Sequence, residues 1–476
     1  MSVQDQNAWE REQVVVQAAR EATPEKFVGS EKEPNALFKS IGIMNTPERL
    51  PVGYFKYRPE DFIVEEERPD DTVITVDGKP AAPEFEGGEG TVYFDMTKVG
   101  ISTIDAENRI SEITGYPNKD IGYAGIKDAV ALTSQRMSVR GGILNEILML
   151  SLPGAIIRNV HESKGVMQVG GLKGNRFTMM IRTENPVDQA WVDERIEYIK
   201  TKGIMNYFGV QRFGTPRFLA HHVGRSMLVD GAAAGVRAYI TRESDFELPY
   251  FAEKRAVASE QWGDWKAMRD TLSELPYAFR HELDMLDSMI KSDGNFVTAL
   301  EAVQQQAGLW VRAYASFAAN EAMSQAEREG VDITDPMPQM LNADPAVQRI
   351  YKNRLEEDGL RNPLAALKKY PFIRVGRNPT IQPKIIPEIH SYKVVPDGLA
   401  ITFTLPKGAY ATTMLMYLFD SVTGYPVPEW LNTAYVDTKD VLGTGSLVEV
   451  KEMLGGDIDR IMQRKDDKAE EADGDS

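Results

Sequence analysis

Four short segments carry more glycine, amide, aromatic and charged residues than packing alone requires. The first, IGYAGIKDAVALTSQR (residues 121–136), runs from a strand-like stretch through a glycine turn to Lys127 and Asp128, and then toward a short predicted helix. An aspartate at a helix start meets unpaired backbone N–H groups and the positive end of the dipole, which favour its ionised form. The segment therefore offers either an ionised carboxylate available for chemistry or a plain N-cap aspartate. The second, GIMNYFGVQRFG (203–214), crowds Asn206, Tyr207, Phe208, Gln211, Arg212 and Phe213 between glycines. Such a mixture suits stacking on a nucleic-acid base and hydrogen bonding to its edge. The alternative is a buried turn whose aromatics belong to the core. FKYRPEDFIVEE (55–66) and LPKGAYATT (405–413) have a similar texture and say less when taken singly.

Other chemistries lack their residues. The 476-residue chain has no cysteine, which removes disulfides, zinc–thiolate sites, iron–sulfur clusters and thiol catalysis. His161, His221, His222, His281 and His390 fall in no metal-ligand spacing, so no metal is expected. Phosphate-loop, dinucleotide and nucleophile-elbow motifs are missing, which disfavours an ATPase, a dehydrogenase or an ordinary serine hydrolase. No apolar run is long enough to span a membrane. The polar, acid-bearing opening MSVQDQNAWEREQ is unlike a signal or transit peptide, so a cytoplasmic protein is expected.

With 54 basic and 71 acidic residues the formal net charge is −17, which at first argues against a nucleic-acid partner. The distribution qualifies this. Residues 198–229 contain no acid but hold Lys200, Lys202, Arg212, Arg217 and Arg225; residues 359–387 contain no acid but hold Arg361, Lys368, Lys369, Arg374, Arg377 and Lys384. Such segregation fits a basic stripe on an acidic protein, or long loops that happen to lack acids.

The elements that must position these segments change character along the chain. Residues 50 to about 182 read as short strands, with TVYFDM and FTMMI alternating at the period of a half-buried strand. One helix is predicted between them, with Ala106, Ile110 and Ile113 on its apolar face and Gly115 ending it. From about 230 to 330 the texture is helical, with Val303, Trp310, Tyr314 and Phe317 on one apolar seam. Strand texture returns in KVVPDGLAITFTL, a hairpin around Pro396-Asp397-Gly398. Strands, then helices, then strands predict an α+β protein interrupted by an inserted, largely helical domain.

Together and in order, the segments resemble the TruD family of tRNA pseudouridine synthases. RPEDFIVEE, GYAGIKDAVALTSQ, LKGNRFTMMIR, MNYFGVQRFG and FTLPKGAYATT are similar to five successive motifs of that family, spanning about residues 47 to 418. The resemblance implies a pseudouridine synthase domain with a mixed or antiparallel sheet, built from residues 46–231 and 385–455. It also implies a TruD-specific insertion at 232–384; an N-terminal extension (1–45) and a disordered acidic tail (465–476) flank these parts. It implies that Asp128 is the catalytic aspartate, that Phe62, Phe208 and Tyr410 line the substrate pocket, and that Asn206 lies near the target base. Lys56 aligns with a lysine close to the aspartate.

The reaction would isomerise a uridine of tRNA, by family expectation uridine thirteen of the D-arm, with no cofactor. A carboxylate in a pocket stripped of water needs a neighbouring cation to stay charged. Lys56 is the first choice, with Lys127 and Arg212 as alternatives; Lys127 more readily reads as surface or phosphate-facing. Arg212, Arg217, Lys368, Lys369, Arg374 and Arg377 are candidate contacts to the RNA backbone. A monomer with tRNA as partner, no membrane and no nucleotide cofactor is expected. The sequence departs from the family pattern at Met416-Tyr417, where an Arg-Glu pair is usual. It also has Met205 where many members have proline, and RAYASFAANEAM (312–323) matches the family's helix only loosely. The alternative function is an RNA-binding or RNA-chaperone protein on the same scaffold.

Overall fold

The computed structural model of the chain describes residues 3–29, 36–45, 50–78, 90–422 and 427–473. It divides into two compact units, one of Met1–Thr46 with Met205–Ile385 and one of Pro47–Ile204 with Ile386–Ser476. Among the described residues no helix is long and apolar enough to cross a membrane.

The second unit is built on one mixed sheet. Its strands are β1 (Val52–Tyr54), β2 (Phe62–Glu67), β3 (Val73–Ile74), β4 (Thr91–Lys98), β5 (Ile121–Tyr123), β6 (Leu132–Arg140), β7 (Ala155–Ser163), β8 (Gly174–Thr183), β9 (Glu388–Val395), β10 (Gly398–Pro406) and β11 (Asp420–Val422). The main path runs β9-β10-β8-β2-β6-β4-β7, antiparallel except for the parallel pair β2–β6. β9 and β10 form the expected hairpin, closed at Val395↔Gly398. Gly398 is required there, because a Cβ would lie 1.9 Å from the Ile181 carbonyl oxygen of β8.

Register places the first candidate segment. Ile63 pairs with Leu132 across β2–β6, and Lys98 pairs with Thr133 across β6–β4. The residues before β2, the residues before β6 and the end of β4 therefore share one end of the sheet. The helix Thr103–Thr114 follows β4. Ser102 and Asp105 cap its start reciprocally, and Gly115 closes it in the left-handed conformation at φ 78°. Ala106 and Ile110 are buried as the periodicity predicts, but Ile113, in the last turn of the helix, is exposed.

The sequence predicts a helix after Asp128, and there is none: residues 129–131 form a bend that leads straight into β6. Pairing of Leu132–Ser134 with β2 and of β6 with β4 extends the backbone where local propensity favours a turn of helix.

The first unit is helical. Its long helix Gln304–Arg328 buries Trp310 and Tyr314, as the seam predicts, and packs on the helix Ala220–Val229. That approach requires Gly224, where a Cβ would meet the Trp310 carbonyl oxygen at 2.1 Å. The helix Ala220–Val229 thus packs within this unit, although its sequence position places it with the strands. The N-terminal helix Val3–Ala22 is docked on the same unit. The buried Glu12 carboxylate accepts the backbone N–H groups of Tyr277 (2.6 Å) and Ala278 (3.0 Å), and Phe27 stacks on Tyr250. At the other terminus the helix Val448–Asp473 carries the backbone of the acidic stretch, expected to be disordered, as far as Asp473; residues 474–476 lie outside the described residues.

Candidate active site

The loop between β5 and β6 is pinned by side chains from three elements. Lys98, at the end of β4 and fully buried, donates to the carbonyl oxygens of Ile101 (2.8 Å), Lys127 (3.3 Å) and Asp128 (2.9 Å). Thr103, in the first turn of its helix, accepts the Lys127 N–H at 2.9 Å and donates to Gln135 of β6 at 2.8 Å. Gln135 in turn donates to the Gly125 carbonyl at 3.1 Å. Every one of these is a buried polar group with a partner, which makes the loop a fixed platform rather than a mobile one.

On this platform Asp128 keeps its carboxylate accessible, with 38 % of the side chain exposed. One oxygen accepts the Val130 N–H at 3.1 Å, and the other accepts the Lys56 ammonium at 2.6 Å. The first contact is the bond an N-cap aspartate would make, formed in an Asx-type turn instead of a helix. Burial pushes the Asp128 carboxyl up, but the Lys56 charge and hydrogen bond, the Val130 N–H and the charge of Lys98 outweigh it, and its pKa lies below the ordinary value. Lys56 holds a left-handed backbone at φ 63° and sets its ammonium 4.1 Å from the centre of the Phe62 ring. Positive φ is uncommon for a side chain of this kind, and a cation over an aromatic face is stabilised by the ring quadrupole. Phe62 itself is buried against Phe55 and Phe177.

Lys127 is not phosphate-facing. It is buried and pairs with Glu66 of β2 at 2.8 Å, so of the three cations considered for Asp128 it is already engaged elsewhere. Glu66 belongs to a run of three consecutive buried glutamates, each met by a lysine: Glu65 by Lys439 at 2.6 Å, Glu66 by Lys127, and Glu67 by Lys173 at 2.9 Å. Strand alternation sends Glu66 to one face and its two neighbours to the other. The buried Lys98 loses charge more readily than an exposed lysine: burial, opposed by Asp128, pulls it down to about 8. Lys98 and Glu66 are the residues that sequence reasoning missed, since a lysine ending a strand and a glutamate within an acidic run read as surface groups. Tyr410 lies half-buried in the same unit and caps the short helix Ala411–Leu415. Met416 and Tyr417, the departure from the family pattern, are both buried.

The remaining candidates lie in the helical unit. Asn206 is buried, with its N–H donating to Pro383 O at 2.8 Å and its side-chain amide to Gln382 O at 2.9 Å, while its side-chain oxygen has no partner among the described residues. Phe208 is buried, its backbone clamped by Asn320, which accepts its N–H at 2.8 Å and donates to its carbonyl at 3.0 Å. The Arg212 guanidinium lies 5.6 Å from the Phe208 ring. Lys368, Lys369, Arg374 and Arg377 are exposed.

Arg217 is not. It is buried, donates to the carbonyls of Tyr239 and Arg242, and lies 3.7 Å from both Glu247 and Glu282, so it is withdrawn from the backbone-contact set. Among the described residues no group of three or more histidines and carboxylates is arranged to hold a metal ion.

A fixed loop at one end of a mixed sheet thus presents an accessible carboxylate that a lysine holds ionised. The family model for tRNA pseudouridine synthase D (TruD) matches residues 51–348. A probable tRNA pseudouridine synthase D of Methanocaldococcus jannaschii is 27% identical, covering 76% of this chain and 94% of that protein. The tRNA pseudouridine synthase D of Geobacter sulfurreducens is also 27% identical, with 76% of this chain and 93% of that protein covered. In fold the chain is similar to the crystal structure of a Methanosarcina mazei protein assigned as TruD, with a TM-score of 0.62, 21% identity, and coverage of 80% of this chain and 97% of that one. The chain belongs to the tRNA pseudouridine synthase D family, and with it to the isomerases.

Proposed function

We propose that this protein converts a uridine of tRNA to pseudouridine, uridine thirteen of the D-arm by family expectation, with Asp128 as the catalytic carboxylate and no cofactor. The observation that carries the reading is the accessible Asp128 carboxylate, kept ionised by Lys56 at 2.6 Å on a loop pinned from below. The isomerisation breaks the C1′–N1 bond, turns the detached uracil and joins C5 to C1′. The C5 proton is lost and N1 gains one, so atoms balance with no redox partner or group donor. A carboxylate serves as nucleophile or as the base that initiates elimination. Lys56 keeps it charged while the bound RNA excludes water.

The target base must leave its stack to reach the aspartate. Tyr410 and Phe208 serve as aromatic contacts to the flipped nucleotide and Asn206 as a hydrogen-bonding partner. Phe62 supports Lys56 with its ring face. Arg212, Lys368, Lys369, Arg374 and Arg377 contact RNA phosphates. The protein works as a cytoplasmic monomer with no nucleotide cofactor.

The test is pseudouridine formation on unmodified tRNA transcripts, mapped by carbodiimide-dependent primer-extension stops, for the wild type beside Asp128→Asn. A D-arm stop with the wild type alone, at equal tRNA binding and equal melting temperature, is the expected result. Wild type that binds tRNA and leaves no stop would favour the RNA-chaperone alternative.

A further inference from the structure

The loop that carries Asp128 exposes more than its carboxylate. Along residues 126–131 Lys127 and Ala131 are buried, while Ile126, Asp128 and Val130 face solvent. Ile126 is 63 % exposed and Val130 43 %, so the carboxylate has an aliphatic side chain two residues away in each direction along the chain. A third stands on the neighbouring loop, where Gly170 donates its N–H to the Ala124 carbonyl at 2.7 Å and the adjacent Val169 is 78 % exposed. Single exposed aliphatic residues are ordinary on a protein surface; several gathered about one accessible acid mark a contact.

Their backbone is anchored from beneath. Ile126 lies between Gly125, whose carbonyl accepts the Gln135 amide at 3.1 Å, and Lys127, whose N–H donates to Thr103 at 2.9 Å. The Lys127 ammonium runs inward to Glu66 at 2.8 Å, and Glu66 also accepts the Arg136 N–H of β6 at 3.3 Å. With Lys127 drawn into the sheet, its neighbours Ile126 and Asp128 are turned outward together. Val130 is tied to the same aspartate through its N–H at 3.1 Å. A side chain on backbone fixed in this way resists when pressed against a base, whereas one on a mobile loop would retreat.

The chemistry at Asp128 supplies the occupant. A uridine that reaches the carboxylate leaves a gap in its stack, and the gap closes again unless something apolar fills it. Aliphatic side chains that enter between bases do this in proteins that unstack nucleic acids, and they need no particular sequence on either side. We propose that Ile126, flanked by Val130, is the wedge that enters the RNA stack where the target uridine leaves it. The assignment rests on the reading of Asp128 as the catalytic carboxylate. Ile126 takes the leading role because it is the more exposed of the two and is attached directly to the Lys127 anchor.

The experiment uses the full chain and a tRNA transcript carrying 2-aminopurine beside the D-arm target uridine, a base whose fluorescence rises when its stacking partner leaves. Ile126 is exposed, so Ile126→Ala is expected to keep the wild-type melting temperature. It loses most of the fluorescence rise at saturating protein and slows single-turnover isomerisation at least about tenfold, while Ile126→Leu keeps both. On a transcript with abasic sites on either side of the target there is no stack to open, and Ile126→Ala reacts as fast as the wild type. A variant slowed equally on both transcripts has disturbed Asp128 instead, and that result overturns the wedge. Asp128→Asn separates the two readings, because it abolishes isomerisation and retains the fluorescence rise. A wild type that isomerises no uridine refutes the catalytic reading, and the fluorescence still decides the wedge. No rise with the wild type, or an equal rise with Ile126→Ala, overturns the proposal.

Discussion

Replacing Lys56 by methionine removes the charge that holds Asp128 ionised and keeps a stem of similar length over Phe62. The ion pair spans 2.6 Å, with 20 % of Lys56 and 38 % of Asp128 exposed. Two unit charges ~4 Å apart at an effective dielectric near 20 attract by about 4 kcal/mol, whereas fully exposed pairs measure about 0.2–1 kcal/mol. This half-open pair falls between, at about 1.5 kcal/mol, which is about one pKa unit at ~1.4 kcal/mol per unit. The sign follows from which form works. In the proposed reaction only the ionised carboxylate acts, so a higher carboxyl pKa moves the acid limb of kcat/KM to higher pH. Burial, the largest influence on Asp128 and opposed mainly by Lys56, is then left less opposed. The pH profile of single-site tRNA isomerisation is therefore expected to shift its acid limb upward by about one unit in Lys56→Met, and to stay near the wild-type position in Lys56→Arg. Matched melting temperatures separate the charge effect from loss of fold. An acid limb that stays in place in Lys56→Met would refute the argument that this lysine sets the ionisation of Asp128.

Reversing the charge of Arg374 and Arg377 together should weaken tRNA binding and flatten the plot of log affinity against log salt by about two units, one for each phosphate no longer neutralised. An unchanged slope in filter binding would remove that segment from the RNA interface. Lys98 gives a pH signature in stability. Below about 8 it is charged in folded and unfolded chains alike, but between about 8 and its ordinary value of 10.5 the folded chain releases the proton first. The unfolded chain then binds more protons, so stability in urea is expected to rise with pH across that window, by at most about 3 kcal/mol, and the rise should vanish in Lys98→Met. Arg182 and Asp61 form a buried bidentate pair at 2.7 and 3.0 Å, and Arg182 also donates to the Asn432 carbonyl at 2.6 Å. Arg182→Leu leaves Asp61 buried without its partner and should cost about 3–5 kcal/mol in chemical denaturation.

The strands were legible because their large apolar side chains alternate, although β4 and β8 are buried along almost their whole length and on both faces. TVYFDM and FTMMI fall in β4 and β8, and the PDG turn closes β9 on β10. Order of texture gave the α+β class for the same reason. What local reading could not see was long-range partnering. The acid-free run 198–229 looked like a basic face, yet Arg217 finds Glu247 and Glu282 while Arg225 finds Asp358 and Asp230. A count of charge along the chain registers only neighbours in sequence, whereas Glu247, Glu282 and Asp358 are brought in from later in the chain and Asp230 lies just past the end of the run. The second run fared differently, because its lysines and arginines at 368, 369, 374 and 377 stay exposed. At the aspartate, residue type was readable and geometry was not. Asp128 accepts a backbone N–H two residues on, as a capping aspartate would, but strand pairing decided what followed it.

The same distinction explains how three lysines divide their work around one carboxylate. Lys127 is adjacent to Asp128 in sequence, and the sequence offers it as an alternative to Lys56 for the counter-ion. Its ammonium instead meets Glu66, while Lys56, distant in sequence but brought to the same sheet end by the β2–β6 register, takes the aspartate. Among the described residues Lys98 meets no carboxylate at hydrogen-bonding distance; three backbone carbonyls surround its ammonium. Carbonyl dipoles can hold a buried cation without cancelling its charge, whereas an acid partner would neutralise it. Its field therefore still reaches Asp128 and adds to that of Lys56. Asp128 consequently sits beside more positive charge than its own carboxylate balances, and in the proposed reaction that excess keeps it ionised as the polyanionic substrate arrives and displaces water from around it.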